Sequence, residues 1–330
     1  MRRREFIGLI GAAAGLPIAV RAQEPVQRRR LGVLMAIAED DPLRRTFLAA
    51  LSDGLRRSGW VEGQNIEVDY RWAGANPERI KQMAKSLAAS APVAIIAHTS
   101  PATAALINET KTIPIVFVTV TEPLAQGFVS SLARPGGNVT GFTNFEFSMG
   151  GKWLEILREI LPEVKKAKVI FNPDTAPGGG DIFLQSIAAG AKSLAIEIAP
   201  ASVRNERDIE AAIGALGQSS GAGLIIPPDI FLVVNRTKIV ELAAHFRVPT
   251  IYQYDYFVRG GGLVSYGVDV PDLFRRAALY AHRILNGESA GDLPVQAPTK
   301  FQLVVNLMTA KTLGLTFPPT LLARADEVIE

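Results

Sequence analysis

The segment His98-Thr99-Ser100-Pro101-Ala102-Thr103 holds the most suggestive chemistry in the chain. Two hydroxyls, Thr99 and Ser100, precede a helical pattern. They and the first-turn amides converge where a carboxylate is favoured by hydrogen bonds and the helix dipole. The same residue types also cap helices, and the two roles coexist. His98 is one of three histidines and stands alone, which reads as a satisfied loop histidine rather than a catalyst or metal ligand. Asn172-Pro173-Asp174 with Gly178-Gly179-Gly180-Asp181 either presents amides and carboxylates to a ligand or makes an ordinary turn with Asp181 as N-cap. The glycines permit close backbone approach, but no phosphate-binding G-x-G-x-x-G or Walker pattern follows a strand. Tyr252, Tyr254 and Tyr256 alternate at a strand end, so one aromatic ring among them is expected against a ligand.

Hydrolytic machinery is not assembled by these residues. The chain has no G-x-S-x-G elbow, no H-E-x-x-H and no His/Asp/Glu set with metal-ligand spacing. Neither catalytic residues nor a cofactor is expected. The carboxylates Glu39, Asp40, Asp41 and Glu122 read as solvated loop charges.

Short apolar runs alternate with helical patterns, as in a parallel sheet covered on both faces. Strands are expected at Leu31–Met35, Ile66–Trp72, Val93–Ala97 and Ile115–Val118. Between them lie helices at Leu43–Ser58, Pro77–Ala89 (Asn76 as N-cap) and Ala102–Thr110. The pattern then restarts. Lys168–Phe171 matches the first strand, Leu224–Pro227 the third and Val248–Tyr252 the fourth, at offsets that stay nearly constant. The fold class is therefore α/β, with two doubly wound parallel-sheet lobes joined by a hinge. Recrossing segments are expected near Phe142–Phe145, Arg259–Gly262 and Pro298–Phe301. Lobe 1 would take residues 23–143 plus about 261–298, and lobe 2 residues 144–260 plus about 299–330.

In open α/β sheets ligands bind beyond the carboxyl ends of the strands. That rule selects Ala36–Pro42, His98–Ala102 and Thr119–Pro123 in lobe 1, and Asn172–Asp181, Pro227–Ile230 and Tyr252–Asp255 in lobe 2. The candidate ligand residues are Thr99, Ser100, Thr121, Glu122, Asn172, Asp174, Asp229, Tyr252 and Tyr254.

Arg2-Arg3-Arg4-Glu5-Phe6-Ile7 leads an apolar run from Gly8 to Val20, followed by Val20-Arg21-Ala22. These are the charged start, apolar core and small-residue site of a secretory signal peptide over residues 1–22, cleaved after Ala22. Arg3-Arg4 resembles a twin-arginine signal, an ordinary Sec signal being the alternative. The whole chain has 35 Lys+Arg against 32 Asp+Glu, but the leader carries four arginines and one glutamate, so the remainder balances. Without a basic footprint there is no case for nucleic acid. With no cysteine the exported chain has no disulfide and no lipid-anchor site, and must rely on its core. No later segment is long and apolar enough to insert in a membrane.

Three strings carry a family resemblance: Ser131-Leu132-Ala133-Arg134-Pro135-Gly136-Gly137-Asn138-Val139-Thr140-Gly141, Gly262-Leu263-Val264-Ser265-Tyr266-Gly267, and Leu293-Pro294-Val295-Gln296-Ala297-Pro298-Thr299-Lys300-Phe301. With Asn306 and Lys311-Thr312-Leu313-Gly314-Leu315, the chain resembles the ABC-transporter substrate-binding family related to the tryptophan- and tyrosine-binding proteins. The resemblance implies a type I periplasmic-binding fold with three interlobe crossings and no cofactor. It also implies a periplasmic, monomeric receptor that hands a small molecule to an inner-membrane permease. Its ligand loops fall on Thr99-Ser100, Thr121-Glu122-Pro123, Asn172-Pro173 and Pro228-Asp229. Two positions depart from the family's usual pattern: Thr121-Glu122-Pro123 stands where Ser-Asp-Pro is common, and Gly178 where tyrosine is often found. The aromatic amino acid of the relatives does not carry over on this basis. A receptor-linked ligand sensor shares the fold, and a secreted enzyme is the third class open to it.

Overall fold

The structure is a computed structural model that describes residues 28–330 other than Ser220; the expected signal peptide and cleavage site lie outside the described residues. The first lobe runs β1 (Arg29–Met35), α1 (Leu43–Arg57), β2 (Ile66–Trp72), α2 (Pro77–Ala89), β3 (Ala94–His98), α3 (Ser100–Glu109), β4 (Ile115–Val120) and β5 (Val139–Thr143). Its five strands pair in parallel in the order β2-β1-β3-β4-β5. Strands β3, β4 and β5 are buried along their whole length, as the unbroken apolar runs require. Asn76 caps α2, its side chain accepting from the Arg79 amide, with Pro77 in the first turn.

The second lobe begins with α4 (Met149–Ile160), β6 (Lys166–Phe171), α5 (Asp181–Leu194), β7 (Glu197–Ser202), α6 (Glu206–Gly214) and β8 (Ala222–Ile226). It continues through α7 (Ile230–Val234), α8 (Arg236–His245), β9 (Thr250–Tyr252), α9 (Asp255–Arg259) and β10 (Val264–Val268). The chain then makes α10 (Val270–Leu285), β11 (Phe301–Asn306), α11 (Leu307–Leu313), α12 (Pro319–Leu322) and β12 (Glu327–Ile329). The second sheet has the order β12-β11-β10-β9-β8-β6-β7, with β11 antiparallel to β10 and the other pairs parallel.

Helix α10 is the exchanged element. It leaves the second sheet and packs on α1 in the first lobe. A Cβ on Gly54 would lie 2.6 Å from the Arg275 carbonyl, so only glycine allows this approach. The chain returns beside β5, where the Thr143 amide donates to Gln296 O and the Gln296 amide to Gly141 O (both 2.9 Å). The expected boundary near residue 261 is corrected by this path. Strand β10 pairs with β9 and β11, so the crossing falls at Asp269, after the strand. An apolar strand suits either sheet, and its sequence carries no mark of which one it joins.

Two local expectations also shift. Helix α3 starts at Ser100, two residues before Ala102. Asp181 is the first residue of α5 and not its cap; Gly178, Gly179 and Gly180 all have positive φ and make the turn ahead of it.

Candidate functional site

The carboxyl ends of the two sets of parallel strands face one another and enclose a narrow cleft. The lobe 1 wall is built from the β3–α3 junction. Thr99 adopts φ 81°, uncommon for a β-branched residue, and its side-chain oxygen is buried with no partner among the described residues. Neither Thr99 nor Ser100 caps α3, so the capping reading of these hydroxyls is overturned. The first helical bond runs from the Thr103 amide to Thr99 O (3.1 Å), and the amides of Ser100 and Ala102 precede it at the positive end of the helix. Gln126 Nε2 donates to Ser100 Oγ (3.1 Å) and also to Thr121 O, which leaves the serine proton free to be donated.

His98 corrects the expectation of a satisfied loop histidine. The ring is buried against Phe47 and Phe274 (centroids 5.6 and 5.5 Å), it lines the cleft, and its Nδ1 has no partner among the described residues. Burial pushes its pKa down to about 3, against a smaller upward pull from Asp41, so the imidazole is neutral at physiological pH.

The lobe 2 wall is satisfied from within. Asp229 is buried and accepts from the Asn172 amide (2.6 Å), the Phe231 amide (3.0 Å) and the Thr175 hydroxyl. Burial pushes its carboxyl up to about 6, and these three donors hold it below where burial alone would take it. Tyr254 lines the cleft with its ring, while its hydroxyl is tied to Asn144 Nδ2 (2.8 Å) in the hinge. Tyr256 stacks on Tyr254 (5.0 Å) and lines the cleft as well.

Of the nine sequence candidates, the structure brings Thr99, Ser100, Asp229 and Tyr254 together around one cavity. The others stand back from it. Thr121 donates to Asn144 Oδ1 (2.9 Å) and braces the hinge. Asn172 braces Asp229 through its amide and accepts from the Asp174 amide (2.8 Å). Asp174 points to solvent, its side chain 56% exposed and paired with Arg204 (3.3 Å). Tyr252 lies in the lobe 2 core, stacked on Phe257 (4.9 Å). Glu122 lines a separate crevice with Glu146, where burial first and the neighbouring charge second raise its pKa.

Sequence reasoning selected the loops of Thr119 and Thr175 without singling out these two residues and did not take Asn144 as a ligand residue; all three line the cleft. Left-handed backbone at Thr99, Thr119 and Glu122 marks the same strand ends, and no residue type announces it. Asp41, read as a solvated charge, is instead nearly buried in an ion pair. Among the described residues there is no metal-ligating cluster, and no helix is long and apolar enough to cross a membrane.

Two doubly wound lobes that face one another across a cleft define a type I periplasmic-binding fold. The chain matches the family described as ABC transporter substrate binding protein over residues 32–329, and it belongs to that family. It is 29% identical over 275 residues to the tyrosine-binding protein of Clostridioides difficile, covering 83% of this chain and 77% of the relative. A conserved domain protein from Vibrio cholerae superposes with a TM-score of 0.84 at 29% identity, over 91% of this chain and 99% of the other. The Streptococcus ABC domain in complex with L-Trp shares the fold at a TM-score of 0.84 and 22% identity, over 92% of this chain and all of the other. The protein is a substrate-binding component of an ABC transporter and not an enzyme.

Proposed function

We propose that the chain captures a small carboxylate, an amino acid or an aromatic acid, between its lobes and delivers it to an inner-membrane permease. In this reading it is a periplasmic monomer, exported and cleaved after Ala22. The bodies that move are residues 28–143 with 269–298, and 144–268 with 299–330. The observation that carries the proposal is the buried Thr99 hydroxyl ahead of α3, without a partner among the described residues, beside a Ser100 hydroxyl oriented by Gln126. A buried hydroxyl without a partner is costly, and a helix N-terminus favours an anion. Tyr254 and Tyr256 supply the apolar surface opposite for the ligand's body. The tyrosine- and tryptophan-binding relatives agree with an amino acid.

The test is calorimetry of the mature chain with L-amino acids and aromatic acids, repeated on Ser100→Ala. Loss of a hydrogen bond to a charged group, about 1.5–3 kcal/mol, weakens binding by roughly ten- to a hundredfold. The ligand-free melting temperature should barely move, because Ser100 caps nothing and Gln126 keeps its bond to Thr121 O. Equal binding of a ligand's acid and its amide would falsify the carboxylate assignment.

A further inference from the structure

The most buried ion pair among the described residues joins the two lobes. Arg236, at the start of α8 in lobe 2, donates from Nη2 to Asp41 Oδ1 (2.7 Å) and from Nη1 to Asp41 Oδ2 (2.9 Å) in the β1–α1 loop of lobe 1. The side chains are 15% and 9% exposed. Every other ion pair among the described residues stays within one lobe, and most are far more exposed.

Both partners are held in place. Arg236 Nη1 also donates to Val233 O (3.0 Å), and Asp41 Oδ1 accepts from the Leu43 amide (2.9 Å) at the first turn of α1. The position is unfavourable for Arg236 within its own helix, because a cation at a helix N-terminus opposes the dipole. Its place is explained by the partner across the cleft. The pair adjoins the ligand cavity: Val233, whose carbonyl accepts from Arg236, lines that cavity.

We infer that Asp41 and Arg236 form a latch across the cleft mouth that holds the lobes together and sets how long a captured solute is retained. Neither residue need touch the ligand; they are positioning residues for closure. A desolvated, bidentate charge pair is among the strong polar links between two surfaces, whereas an exposed pair contributes little. The pair forms only when the lobes meet, so its whole strength biases the closed state. This inference rests on the reading of a closing interlobe cleft.

The absence of cysteine makes the experiment clean. A dye pair on A49C in α1 and E241C in α8, both exposed positions, reports lobe separation in the ligand-free chain. At about 50 mM salt the unsubstituted latch should hold a larger closed fraction than at about 1 M, where charges are screened. R236Q should lower the closed-to-open ratio at least tenfold at low salt and remove most of the salt response. D41N, whose remaining oxygen still accepts the Leu43 amide, should do the same without disturbing α1. It also serves if R236Q folds poorly.

Identical closed fractions in all three proteins at both salts overturn the latch. Benzoate and individual L-amino acids are then added to separate the two readings. Separation that responds to a solute but not to either substitution also overturns the latch and leaves the closing cleft standing. Separation that responds to the substitutions but to no solute supports the latch and counts against the carboxylate reading. Where a solute binds, D41N should raise its dissociation rate by roughly the factor lost from the closed-to-open ratio.

Discussion

The two walls of the cleft spend their polar groups differently. On lobe 1, Thr99 Oγ1 and His98 Nδ1 are buried without partners among the described residues. On lobe 2, Asp229 accepts from three donors of its own lobe and Tyr254 is tied to the hinge through Asn144. A wall with unmet hydrogen-bonding capacity is built to read a polar ligand group. A wall with satisfied groups keeps its shape and offers surface. Substitutions on lobe 2 should therefore act first on stability, and those on lobe 1 on affinity.

The largest effect is expected at Asp229. Asp229→Ala leaves two buried amides and one hydroxyl without their acceptor, at about 1–3 kcal/mol for each group. Chemical denaturation of the ligand-free chain should show a loss on the order of 3 kcal/mol or more. A loss below about 1 kcal/mol would mean that water replaces the carboxylate, and the contrast between the walls would fail.

The next effect is the pH dependence of the same group. Its folded pKa, about 6, lies above the unfolded value, so the folded state binds the proton more tightly. The stabilising contribution is complete below the unfolded pKa near 4 and is lost as pH rises through 6. Compared with Asp229→Asn, the native chain should lose up to about 3 kcal/mol of ligand-free stability across that window. A flat difference would show that the three donors offset burial.

Thr99→Val should produce the smallest change in the ligand-free protein and a clear one in binding. The substitution keeps the branched shape and removes a hydroxyl that makes no hydrogen bond among the described residues, so ligand-free stability should hold or rise by up to about 1 kcal/mol. Affinity for the carboxylate should fall roughly tenfold or more. Unchanged affinity would move the recognition site away from the β3–α3 junction.

Much of the frame was legible because its causes are local. The apolar runs of β3 and β4, the Asn76 cap and the strand-end loops all follow from residue type and spacing. That rule found both faces of the cleft and put Thr99, Ser100, Asp229 and Tyr254 on it. It also admitted Tyr252, two residues before Tyr254 on the same chain. Only packing separates them: Tyr252 ends β9 inside the lobe against Phe257, while Tyr254 lies past the strand, where the chain turns into α9.

By itself the sequence determined the α/β class, the duplicated lobes, the absence of disulfides and the family resemblance, all properties of composition or short-range pattern. The tertiary structure decided which sheet receives β10, that α10 is exchanged onto α1, and that Asp41 meets Arg236 across 195 residues of chain. It also decided that Thr99 and His98 carry buried atoms without partners among the described residues, whereas Asp229 is satisfied. Those outcomes depend on which distant groups fill the space around a side chain. Hydrogen-bond satisfaction and desolvation are set by that three-dimensional neighbourhood, and no local spacing encodes it.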